Sequence, residues 1–124
     1  MKILKKKSIF AGVFTAIILT TTIYVGAMTS TLCGTLYTKN PLLSAPKGYA
    51  WTMGFSTCTA QCTASKDGVT NSQTVSKYLK DGGSIETDWI SGPTYSSSGT
   101  TFSSVHTGYD DKGNYTVLTA SKKY

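Results

Sequence analysis

Large and small side chains alternate with a period of two in the middle of this chain, a pattern that predicts β-strands with one buried face. In residues 49–55, YAWTMGF, every second position from Tyr49 to Phe55 is large. The alternation slips by one residue at 56–57 and resumes from Cys58 to Ala64. A slip of this kind predicts either a bulge or a turn that starts a second strand.

The C-terminal half predicts further strands and a hairpin. Residues 84–90, SIETDWI, alternate Ile, Thr and Trp against acidic side chains. The segments 100–109 and 115–124 are both rich in β-formers, and between them lies DDKGN. Gly113 or Asn114 can adopt the left-handed conformation that a short hairpin loop needs. The two segments are therefore expected to pair.

One stretch predicts a short helix, residues 70–83, TNSQTVSKYLKDGG. Asn71 or Ser72 can cap its start, and Gly82 with Gly83 can end it. Its proposed apolar face consists of Val75, Tyr78 and Leu79. The pattern as a whole predicts a mainly β protein, namely a small antiparallel meander or sandwich-like domain over residues 49–124 with one short helix.

The beginning of the chain has a different pattern. Four lysines among the first seven residues are followed by a run without charge from Ser8 to Met28, and the small residues Gly26 and Ala27 lie near the end of that run. This layout predicts an N-terminal signal peptide helix over residues 1–27, cleaved after Ala27. The alternative is an uncleaved membrane anchor, in which residues 8–28 are the only part of the chain that contacts the membrane. Both place the body outside the cell, because the lysine cluster stays in the cytoplasm.

Residues 28–48 join this leader to the β-rich domain. Pro41 and Pro46 cannot donate backbone hydrogen bonds to a sheet, and Gly48 ends the stretch. The sequence therefore predicts an irregular segment that packs onto the body.

Charge changes the picture once the leader is removed. The full chain carries a formal net charge of +6, but four of its twelve lysines lie in the leader, which leaves about +2 for the body. The chain contains no arginine, so bidentate recognition of phosphate or guanine is excluded. Nucleic acid is thus not an expected partner, and the Lys-rich, Arg-free composition favours a bacterial, Gram-positive-like protein.

Three cysteines, Cys33, Cys58 and Cys62, are the disulfide candidates. Cys58 and Cys62 would lie about 13 Å apart along a strand, beyond the reach of a disulfide between them. In an oxidising exterior, Cys33 is expected to pair with one of them, although three buried free thiols are the alternative. Together with His106, the three cysteines would supply the ligands of a Cys₃His zinc site. Their spacing is not that of a known zinc finger, so no metal or cofactor is expected.

Catalytic chemistry is not expected either. His106 is the only histidine, and it is interpreted as an exposed or hydrogen-bonded strand residue. No nucleophile-elbow motif is present. Glu86 and Asp88 could form a carboxylate pair, but a solvated strand face explains them equally well. No catalytic residue is therefore assigned, and an extracellular hydrolase is the less favoured alternative.

Aromatic side chains are the remaining candidates for function. They can form contact surfaces, although ordinary packing across strands accounts for many of them. The candidate contact residues are Tyr49, Trp51, Trp89, Tyr95 and Tyr109. The expected function is a non-catalytic binding or structural role at the cell surface or outside the cell, with an unknown target in the cell envelope or an unknown protein as partner.

Residues 94–113, TYSSSGTTFSSVHTGYDDKG, resemble secreted bacteriocins of the lactococcin 972 type. Those proteins combine a signal peptide with a short β-rich body laden with Tyr, Ser and Gly. The resemblance implies a secreted, bacteriocin-like antimicrobial protein as the alternative function. The three cysteines depart from that family's pattern, and no functional residue is carried over.

Overall fold

A computed structural model describes residues 23–28, 32–80, 82–109 and 112–124; for residues 23–28 only the backbone pairing is described. These residues form nine β-strands, and no helix occurs among them. The strands are β1 (Ile23–Met28), β2 (Cys33–Lys39), β3 (Lys47–Met53), β4 (Thr57–Lys66), β5 (Val69–Tyr78), β6 (Ser84–Glu86), β7 (Ile90–Ser91), β8 (Thr101–Tyr109) and β9 (Tyr115–Lys123).

The strands form two antiparallel sheets that pack face to face. The first sheet has the order β1-β2-β3-β6, with β7 pairing the other end of β3. The second sheet has the order β5-β4-β8-β9. The chain crosses from the first sheet to the second between β3 and β4, which is where the sequence alternation slips by one residue. The slip thus marks a change of sheet, and the sandwich-like prediction is confirmed.

Small side chains on the inner faces let the two sheets approach closely. Ala50 of the first sheet and Ala60, Cys62 and Ala64 of the second are all fully buried. Among the described residues, Phe102 is the largest fully buried side chain, and a Cβ at Gly48 would lie 2.7 Å from its ring. A second cluster, formed by Leu32, Cys58 and Leu79, closes the other end of the core.

The predicted helix over 70–83 is wrong. Residues 69–78 form strand β5, which pairs with β4 along its whole length from Val69 opposite Lys66 to Tyr78 opposite Thr57. The two strands are joined by a two-residue turn in which Asp67 has φ 50° and Gly68 has φ 80°. Positive φ at both central residues is the geometry of a tight hairpin turn, and it directs the chain back along β4.

Most predicted strands are confirmed, with small shifts of their ends. β3 and β4 correspond to the two alternating stretches, and β8 and β9 form the predicted C-terminal hairpin. The predicted strand over 84–90 is divided into β6 and β7 by residues 87–89.

The segment predicted to be irregular, 28–48, contains β2, so the structure differs from the prediction there. Pro41 and Pro46 lie outside this strand, in the connection to β3. Most of the predicted leader, residues 1–22, lies outside the described residues, while its end forms β1 and pairs with β2. Among the described residues, no helix is long and apolar enough to cross a membrane.

Candidate functional site

Three aromatic side chains meet on the face of the first sheet that points away from the core. Tyr37 of β2 and Tyr49 of β3 lie directly opposite each other, and their rings stack with centroids 4.8 Å apart. Trp89, in the connection between β6 and β7, meets Tyr49 edge to face at 4.6 Å. We call Tyr37, Tyr49 and Trp89 the aromatic cluster. Both contacts have the geometry that aromatic pairs prefer, so the rings hold one another in place.

Two charged groups, Lys39 and Glu86, lie at the edge of the aromatic cluster. The Lys39 ammonium group lies 4.2 Å from the centroid of the Trp89 ring, in a cation–π contact. Burial, together with the smaller effect of the nearby Glu86 carboxylate, raises the pKa of Tyr49 to about 12. The Tyr49 phenol therefore keeps its proton at physiological pH and can donate a hydrogen bond. Trp89 remains 41% exposed, so part of the cluster is open to a binding partner.

The structure brings together some of the predicted contact aromatics and separates others. Tyr49 and Trp89 belong to the cluster, and Trp51 is on the same face of β3, half-buried. Tyr109 lies at the end of β8 in the second sheet, where its ring meets Tyr115 at 5.5 Å. Tyr95 is 81% exposed in the connection between β7 and β8.

The single histidine is buried in the core and does not face solvent. His106 is 0% exposed, and its ring nitrogens each lie 2.8 Å from a hydroxyl, Nδ1 from Thr52 and Nε2 from Ser104. Thr52 donates its only hydroxyl proton to the carbonyl of Thr59, at 3.1 Å. Nδ1–H must therefore donate to Thr52, and Nε2 accepts from Ser104. Burial lowers the pKa of His106 to about 4, so the ring is neutral at physiological pH.

All three cysteines are free and buried, which corrects the predicted disulfide. Cys33 lies opposite Met53 on the side of the first sheet that points away from the second sheet. Cys58 and Cys62 are on the inner face of the second sheet and are 0% exposed. Because the first sheet separates Cys33 from the other two, the fold gives it no disulfide partner. Burial raises the pKa of Cys62 to about 12, which keeps that thiol protonated.

Glu86 and Asp88, the candidate carboxylate pair, have different neighbours. Asp88 accepts a hydrogen bond from the Gln73 side chain at 3.1 Å, and its backbone N–H donates to the same side chain. Glu86 is next to the aromatic cluster instead. No group of three or more His, Cys, Asp or Glu side chains that could hold a metal occurs in the described part of the chain.

Sequence reasoning missed Tyr37 and Lys39, which complete the cluster and its charge. The signal for both was the alternation of β2, CGTLYTK, in which Tyr37 and Lys39 share a face. The prolines that follow made the whole of 28–48 look irregular and concealed that signal.

No known protein family matches this chain, and neither the curated proteins nor the solved structures contain a match.

Proposed function

We propose that this chain is a small exported bacterial protein with a non-catalytic binding role at the cell surface or outside the cell. The aromatic cluster is its contact surface, and its target is a component of the cell envelope or another protein. The observation that carries the proposal is the arrangement of Tyr37, Tyr49 and Trp89 on one outward face of the first sheet, with Trp89 41% exposed.

Two physical features support a binding role for this surface. Aromatic rings fixed by mutual contacts lose little conformational entropy when they meet a partner, which favours affinity. Lys39 and Glu86, at the edge of the cluster, add one charge of each sign, and charges at a rim favour the correct orientation of a partner.

Two further observations are consistent with a non-catalytic role. His106, the residue most suited to acid–base chemistry, is fully buried between hydroxyls. The three thiols are buried as well. Export itself is inferred from the basic start and the uncharged run from Ser8 to Met28.

The proposal is tested with the exported form of the protein, purified from the culture medium of a Gram-positive host. Its N-terminus is determined by mass spectrometry, and its binding to whole cells and isolated cell walls is measured as a function of concentration. We expect Trp89→Ala to weaken binding at least 10-fold, since Trp89 is the exposed member of the cluster and a Trp that anchors an interface contributes that much.

Tyr95→Ala is the matched control, because Tyr95 is 81% exposed and lies outside the cluster. It should bind as the unmodified protein does. Equal binding of both variants would contradict the role of the cluster, and retention of the chain inside the cell would contradict export. Killing of neighbouring bacteria by the purified protein would instead favour the bacteriocin-like alternative.

A further inference from the structure

One segment of the chain has two incompatible roles. Ile23–Met28 forms strand β1, which pairs with β2 from Ile23 opposite Thr38 to Met28 opposite Cys33. The same residues are the end of the export leader inferred from the sequence. A residue that has been removed by cleavage, or that lies in a lipid bilayer, cannot pair with β2.

Both forms of export take β1 away from the sheet. Cleavage after Ala27 removes all of β1 except Met28. If the leader instead stays as an anchor, residues 8–22 alone would reach only about 22 Å at 1.5 Å per residue. That length is short of the roughly 30 Å of a bilayer core, so residues 23–28 are needed to complete the span. In either case β2 becomes the edge of the first sheet.

Neither the residues just before β2 nor Tyr124 is placed to take the position of β1. Only residues 28–32 precede β2 after cleavage, which is too short to fold back and pair along seven residues. The C-terminus is held elsewhere: Tyr124 donates its N–H to the Thr100 carbonyl at 2.9 Å and its hydroxyl to Thr38 at 3.0 Å. An open edge of this length, with Leu36 fully buried at its centre, is a template for pairing with another chain.

We propose that the exported protein forms a two-fold symmetric dimer in which the β2 edges of two copies pair antiparallel. This inference rests on the proposed export, because export is what opens the edge. A second copy is the favoured occupant since the same event opens the same edge on every molecule, and an isologous contact satisfies both at once. The first sheets of the two copies then become one continuous sheet.

Charge selects the register. The only charged residue of β2 is Lys39, at its end. Pairing centred on Leu36 uses all seven residues and places Lys39 opposite Cys33 of the other copy, so the two lysines lie at opposite ends of the ladder. A register shifted toward Lys39 would bring the two ammonium groups together and shorten the ladder. A contact of this size belongs to the weaker class of interfaces, so the dimer is expected to depend on concentration.

The test compares two secreted forms by sedimentation equilibrium over a range of concentrations. The first is the full chain exported with its own leader. The second carries a foreign leader that is cleaved before Ile23, so that β1 is retained. Dimerisation is expected for the first form and a monomer for the second, with similar β-sheet circular dichroism for both. An exported form that is monomeric or unfolded at all concentrations would overturn the proposal, as would equal dimerisation of the two forms.

The register has its own test under mild oxidation. Lys39→Cys should give a disulfide-linked dimer through the native Cys33 of the other copy, because directly opposed residues in an antiparallel pair lie within disulfide reach. Lys47→Cys is the matched control: it lies opposite Lys39 on β3, one strand away from the edge. Cross-linking of both variants, or of neither, would refute pairing centred on Leu36.

Failure of export is distinguishable from failure of the dimer. If the whole chain is retained inside the cell, the proposed export fails. The chain starting at Met28 can then be produced directly, and its dimerisation can be compared with that of the chain starting at Ile23. Because the two chains differ only in β1, any difference in dimerisation comes from the open edge of β2. A synthetic peptide of residues 23–28 should dissociate the dimer of the shorter chain, and no effect of the peptide would count against the proposal.

Discussion

At the scale of single residues, His106 links the two sheets through hydrogen bonds and not through charge. Its ring on β8 bonds to Thr52 on β3, and Thr52 bonds in turn to the backbone of β4. The ring also packs directly on Gly34, where a Cβ would lie 2.3 Å from the imidazole. The site holds the neutral imidazole, because burial away from water disfavours the charged ring and a proton on Nε2 would displace the hydrogen bond that Ser104 donates to it.

Acid should therefore destabilise the protein through His106. Its pKa is about 4 in the folded state and 6.5 in an unfolded chain, so the unfolded state binds more protons between these values. The stabilisation is complete above pH 6.5 and falls with pH, by about 2 kcal/mol at pH 5 and about 3 kcal/mol at pH 4. Urea unfolding at several pH values measures this loss.

The His106→Gln variant is the control for that prediction. Its side chain can still form hydrogen bonds but does not titrate, so the difference in pH dependence between the two proteins isolates the histidine. Parallel unfolding free energies for both proteins from pH 7 to pH 4 would contradict the assignment of a buried neutral imidazole.

At the scale of elements, the turn at Asp67 and Gly68 directs the chain into β5. We expect Gly68→Ala to lower the free energy of unfolding by about 1 kcal/mol, because φ 80° is strained for a residue with a Cβ even though nothing lies within 4 Å of the added methyl group. Gly83→Ala is the control, since Gly83 lacks a positive φ and the added Cβ would meet its nearest atom at 3.5 Å. Equal effects in urea unfolding would show that the turn does not need the left-handed conformation.

The elements that the sequence predicts correctly are those in which the alternation and the turn residues indicate the same structure. The C-terminal hairpin and β3 were recognisable because their alternation and turn residues agreed. β5 was misread as a helix because Val75, Tyr78 and Leu79 are spaced like a helix face, whereas its pairing with β4 outweighs that spacing. The Asp-Gly dipeptide before it was the stronger signal, since it is typical of a tight hairpin turn.

The candidate site was predictable only in part, for a related reason. Tyr49 and Trp89 were named from composition and alternation. Their contact with each other and with Tyr37 depends on the order of strands in the first sheet, and strand order is a long-range property that local patterns do not contain. The burial of His106 has the same origin, because its hydrogen-bond partner Thr52 lies in the other sheet.

At the scale of the whole molecule, the two sheets bury a shared core between them. The reactivity of the thiols in that core shows when the sheets separate. Cys58 and Cys62 are 0% exposed on the inner face of the second sheet. Reagents reach them only when the sandwich opens, so we expect the reaction of both with iodoacetamide to be slow and to rise together with urea, as the population of the open state does. Peptide mass spectrometry of samples quenched over time measures the rate at Cys58 and Cys62 separately from that at Cys33.

The control for this experiment is an exposed thiol in the same sheet. Thr70→Cys, on the exposed edge strand β5, should react immediately, whereas Cys58 and Cys62 react slowly and together. Rapid reaction of either native thiol in the absence of urea would mean that the sheets separate locally at that point. A disulfide in the purified protein would mean that the exported chain adopts a different arrangement of its first sheet, because β2 holds Cys33 on the side away from the other two thiols.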